Sequence, residues 1–149
     1  FMDAGVFSFS YPVLVKSYNL KNKKKFSEES QLLKKNTIVL SFISTLIALI
    51  VIKPILKLID KPIYLENIFL FYWLLAVIVI YILSMIPHYL LYAQRYDKII
   101  IKSHFIAFII FVSSTWLISN AYPDHAILFG LSTSFSFIFI YKTLKFYFK

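Results

Sequence analysis
Long apolar runs alternate along this chain with short basic segments, and the runs set its architecture. Residues 36–52, 67–92, 99–118 and 126–147 are dominated by Ile, Leu, Val, Phe, Trp and Tyr. A helix needs about 20 such residues to cross ~30 Å of hydrocarbon, so the pattern predicts four transmembrane helices. Residues 1–15 are also apolar but too short for a crossing. No basic stretch precedes them and no cleavage-like site ends them, which argues against a signal peptide. They read as the end of a truncated transmembrane helix, the C-terminal half of a fifth span, and the chain as the C-terminal part of something longer.

The segments between the runs differ in kind. Residues 16–35 carry Lys16, Lys21, Lys23, Lys24, Lys25, Lys34 and Lys35 with no sustained apolar face. They are expected as a basic loop in water, with room for a short surface helix, ahead of a four-helix bundle over 36–149. Lys53-Pro54 is expected to end the first span. Lys53, Lys57 and Lys61 recur at four-residue spacing, which suits a short helix lying in the interface over 53–66. Pro87 removes a backbone hydrogen bond inside the second span, so a kink is expected there. Residues 92–98 and 119–125 are short polar links.

Composition agrees with a membrane protein. The chain of 149 residues is 60% hydrophobic, 19% aromatic and 15% charged, where a soluble domain carries about 25% charge. The net charge of +9 would suggest nucleic acid on a soluble protein. Here the Lys residues sit between the spans, so they read as orientation signals and no nucleic-acid partner is expected. Residues 16–35, 92–102 and 142–149 hold 7, 3 and 3 basic residues, 13 in all, against 3 in 53–66 and 0 in 119–125. The positive-inside rule places the first set, and with it the C-terminus, in the cytoplasm. Without Cys there are no disulfides, thiolate metal sites or Cys nucleophiles.

Small residues recur at four-residue spacing in two spans: Thr37, Ser41 and Thr45 with nearby Ala48, and Ala126, Gly130 and Ser134. Such stripes favour close helix packing in lipid. In the second span Tyr81, Ser84, His88, Tyr92 and Arg95 fall on one arc at about 100° per residue. A polar stripe facing lipid is costly, so it should face the bundle interior or a cavity. The competing reading makes Tyr92 and Arg95 interface anchors and His88 a satisfied interior group. No carboxylate lies deep in a complete span, no His/Asp/Glu set has metal-ligand spacing, and no Gly-rich phosphate loop exists. Neither a metal nor a cofactor is expected, nor is enzymatic chemistry.

Several segments together resemble a known family. Ser10-Tyr11-Pro12-Val13-Leu14-Val15-Lys16 with the Lys-rich segment after it is similar to the end of the eighth span of bacterial polysaccharide flippases, the O-antigen (Wzx-type) transporters of the MATE-like superfamily. Lys53-Pro54-Ile55-Leu56-Lys57-Leu58-Ile59 resembles their outer-face element after the ninth span. Tyr92-Ala93-Gln94-Arg95-Tyr96-Asp97-Lys98 resembles their turn between the tenth and eleventh spans. Residues 126–134 resemble the start of their last span. Tyr122-Pro123-Asp124-His125 departs from the family, which often has glycines there.

The resemblance implies an all-α membrane protein of the bacterial inner membrane, this chain being most of one lobe of two. It implies flipping of an undecaprenyl-pyrophosphate-linked oligosaccharide by alternating access, for surface polysaccharide synthesis. The partners would be the bilayer, that polyprenyl-pyrophosphate-linked sugar and the missing N-terminal lobe. Tyr81, Ser84, His88, Tyr92 and Arg95 would line the cavity, with Arg95 meeting the pyrophosphate. The rivals are a small oligomeric four-helix protein handling lipid-linked sugar, a membrane enzyme of lipid or glycan metabolism, and a non-catalytic membrane interaction subunit.

Overall fold
The computed structural model describes residues 3–148, and the described chain is helical almost throughout, with no strand among the described residues. A π-helical turn, Asp3–Phe7, leads into α1, Ser8–Asn19. Then follow α2, Lys23–Ile59, the short α3, Pro62–Glu66, α4, Ile68–Ala93, α5, Asp97–Ser119, and α6, Pro123–Tyr147. Four of these, α2, α4, α5 and α6, are long and apolar enough to cross a membrane. The chain is an all-α, multi-pass membrane protein. The predicted spans over 67–92, 99–118 and 126–147 coincide with α4, α5 and α6 within a few residues.

The region before α4 differs from expectation. Residues 16–35 are not a loop: only Leu20, Lys21 and Asn22 lie outside helices. Asn22 caps α2, its Oδ1 accepting from the Lys25 amide at 3.0 Å. Ser30, Leu33, Thr37 and Ser41 are buried at helical spacing, so one face of the basic segment packs while the Lys residues face outward. At 37 residues α2 is about 55 Å long, well beyond the hydrocarbon thickness. Lys53-Pro54 does not end it either. Pro54 is absorbed within α2, which stops at Asp60, a residue in the left-handed region (φ 52°). The expected interfacial helix over 53–66 is therefore the end of α2 plus α3.

The core lies where α1, α2 and α4 meet, around Phe7, Leu14, Leu33, Ile86, Leu90 and Ala93. Stacked rings hold the π-helical turn and α1 on α4: Phe7 on Tyr89 at 4.6 Å and Tyr11 on Tyr92 at 4.9 Å between centroids. The other half of the bundle is organised by α6, which packs against both α4 and α5. Its buried residues are Ala126, Gly130, Ser134, Ile138 and Lys142, every fourth position along one face. At Gly130 an added methyl group would meet the Thr115 side chain and come within 3.1 Å of the Phe111 carbonyl. The small-residue stripe thus brings α5 and α6 into close approach, as glycine does between membrane helices. Hydrogen bonds tie α6 to both neighbours: Trp73 Nε1 on α4 donates to Ser132 Oγ at 2.8 Å, and the Ser114 hydroxyl on α5 meets that of Thr133 at 3.0 Å.

Candidate functional site
The α1–α2 turn and the α4–α5 turn lie side by side at one end of the bundle. Both are built alike. Where α1 ends, Lys21 donates its amide to the Tyr18 carbonyl (2.9 Å) and Asn22 to the Ser17 carbonyl (3.0 Å). Where α4 ends, Arg95 donates to Tyr92 (3.0 Å) and Tyr96 to Leu91 (3.0 Å). Each is the paired hydrogen-bond pattern of a Schellman helix stop, whose left-handed residue is usually Gly. Here that residue is a cation: Lys21 with φ 54° and Arg95 with φ 63°. A side chain in that conformation costs about 1–2 kcal/mol. A cation at a helix C-terminus recovers about 0.3–1 kcal/mol from the helix dipole.

A cleft of about 610 Å³ opens between the two turns. Lys21, Lys23 and Arg95 supply three positive charges to its lining, Asn19, Asn22 and Gln94 supply amides, and Tyr18 and Phe26 supply rings. Its lining includes no carboxylate among the described residues. Arg95 Nη2 donates to Asn19 Oδ1 at 3.3 Å, a hydrogen bond that joins the two turns across the cleft. Such a surface binds anions, and a guanidinium beside ammonium groups suits phosphate oxygens best.

Of the five residues placed on one arc, only Arg95 lines this cleft. α4 stops at Ala93, so Arg95 leaves the helical wheel and its left-handed backbone turns it toward α1. Ser84 is fully buried, its hydroxyl donating to the Tyr81 carbonyl at 2.6 Å one turn before Pro87. That bond holds Ser84 against its own helix. Tyr81 is 40% exposed beside Phe135, and Tyr92 is 42% exposed with one ring face covered by Tyr11. The stripe thus divides between Tyr81, Ser84, His88 and Tyr92 on α4 and Arg95 beyond its end.

His88 joins a group that sequence reasoning missed. Lys142, counted above among the basic flanking residues, is fully buried on α6. Its Nζ lies 2.8 Å from His88 Nδ1 on α4 and 3.0 Å from His104 Nε2 on α5. With Lys142 charged, its ammonium has donors and no lone pair, so each facing ring nitrogen accepts and each imidazole is neutral. Lys142 lies near the C-terminal end of α6, so its burial costs less than the ~2.5–3.5 kcal/mol of a Lys at mid-span, and hydrogen bonds to a charged group contribute about 1.5–3 kcal/mol each. Two of them offset the burial. The signal was present: Lys142 continues the four-residue spacing of Ala126, Gly130 and Ser134. At the opposite end of the bundle, His125 stacks on Phe69 at 5.3 Å. No group of three or more His, Cys, Asp or Glu residues that could hold a metal occurs among the described residues.

No family model matches the chain, and no curated protein and no solved structure matches it to significance.

Proposed function
We propose that this chain is the C-terminal part of a bacterial O-antigen-type polysaccharide flippase of the inner membrane. In this reading it moves an undecaprenyl-pyrophosphate-linked oligosaccharide across the bilayer by alternating access and performs no covalent chemistry. An N-terminal lobe completes the cavity, as two-lobed transporters require. The observation that carries the reading is the cleft between the two helix stops. It gathers Lys21, Lys23 and Arg95 at the bundle end that the 13-to-3 charge bias assigns to the cytoplasm. A lipid-linked pyrophosphate presents its anionic head at that interface, with its tail in the hydrocarbon. The cleft lies at the C-terminal ends of α1 and α4, and its cations match the head group. Tyr18 and Phe26 offer ring surface to a sugar.

The test is export of surface polysaccharide in a cell lacking its own flippase, complemented by the full-length protein. Arg95→Gly removes the charge while suiting the left-handed backbone, so it separates charge from fold. With Lys21→Gly added, export is expected to fall about tenfold or more at unchanged protein level, the scale of losing 1.4 kcal/mol or more of head-group binding. Normal export by the double variant would exclude the cleft as the head-group site. Export by residues 1–149 alone would favour the small oligomeric protein.

A further inference from the structure
We propose that His88, His104 and Lys142 form a proton-binding site that locks α4, α5 and α6 together. The inference stands on the geometry of these three residues and does not depend on the transport reading.

Lys142 Nζ bridges His88 Nδ1 and His104 Nε2 at 2.8 and 3.0 Å, one partner from each neighbouring helix. The bridge requires a lone pair on each facing ring nitrogen, and so a proton on the opposite nitrogen of each ring. The set then carries one positive charge. A second positive charge arises when either of those lone pairs takes a proton. That nitrogen then becomes a donor facing a donor, and the hydrogen bond to Nζ is lost. Two cations about 3 Å apart also repel where little water screens them. Proton uptake and helix separation are thus the same event.

The surrounding groups leave the lock sensitive to this charge. From α4, the Tyr89 and Tyr92 rings lie 5.4 and 6.2 Å from the His88 ring, and Tyr11 of α1 stacks on Tyr92. α5 carries Asp97, Lys98 and Lys102 in its first two turns, before His104, and α6 carries Lys145 one turn beyond Lys142. Lys34 of α2 is engaged with the Tyr147 hydroxyl at 2.7 Å. The two imidazole centroids lie 5.8 Å apart, edge to face, so each senses the other's charge. His104 is exposed on α5, whereas Lys142 is buried, so His104 is the member of the set nearest the surface of the bundle. α5 packs closely on α6 and far less on α4, so the set links α4 to α5 where direct packing is sparse.

The chain has no Cys, so paired spin labels can be placed at will. Labels at Lys102→Cys on α5 and Lys145→Cys on α6, both exposed, report the distance between the two helices around the set. The measurement is made on the protein in lipid nanodiscs at pH 8 and pH 5. Acidification is expected to lengthen or broaden the distance distribution reversibly. His88→Gln with His104→Gln keeps an acceptor oxygen for each hydrogen bond and removes the proton sites. That variant is expected to hold the pH 8 distance at both pH values. An unchanged wild-type distribution at pH 5 would overturn the proposal, as would an equal response in the double Gln variant.

Discussion
Two groups of cations sit at the same end of this bundle and are held in opposite ways. Lys21 and Arg95 stand on left-handed backbones at two helix stops, with their charges in the open cleft. Lys142 has an ordinary helical backbone and no exposure at all, its charge enclosed by two neutral imidazoles. The first pair spends backbone energy to present charge outward. The second spends desolvation energy to bind three helices inward. A count of basic residues treats the two alike, and the positive-inside tally included Lys142 with the solvated flank. Twelve of the 13 residues remain once it is set apart (13 − 1 = 12), so the bias persists at 12 to 3.

The contrast breaks most visibly at Lys142. Lys142→Ala strands two imidazole acceptors and leaves a cavity between α4, α5 and α6. We expect a loss of about 1–3 kcal/mol in detergent unfolding, mostly from the cavity left by the buried Lys142 side chain, since His88 is half-buried and His104 exposed. A loss under ~0.5 kcal/mol would mean that the charge is not a structural tie. Arg95→Gly makes the opposite case. It relieves a left-handed side chain worth about 1–2 kcal/mol and gives up a helix-end charge worth about 0.3–1 kcal/mol. Its net effect is expected within about 1 kcal/mol, on the stabilising side. A marked destabilisation would make Arg95 a packing residue.

The apolar runs made α4, α5 and α6 legible, because burial in lipid and helical length impose the same rule on both. The basic segment was misread for a local reason. Asn22 as a cap, and Phe26, Ser30, Leu33 and Thr37 on one face, mark a helix, but Ser and Thr hide the stripe in a hydropathy profile. Lys53-Pro54 reads as a stop, yet the bonds of the surrounding turns carry α2 through it to Ile59. At the site, Arg95 was named for its charge and placed by a wheel that ends two residues too early. The link from Lys142 to His88 and His104 spans 54 and 38 residues, a separation that no local pattern encodes.

Head-group binding tests the central claim most directly. Purified full-length protein in nanodiscs is titrated with a polyprenyl pyrophosphate, with the neutral polyprenol as reference. Wild type is expected to prefer the pyrophosphate, with affinity falling as salt rises, since the cleft's cations are exposed. Lys21→Gly with Arg95→Gly is expected to weaken pyrophosphate binding about tenfold or more and leave polyprenol binding unchanged. Equal pyrophosphate affinity in wild type and double variant would contradict the account.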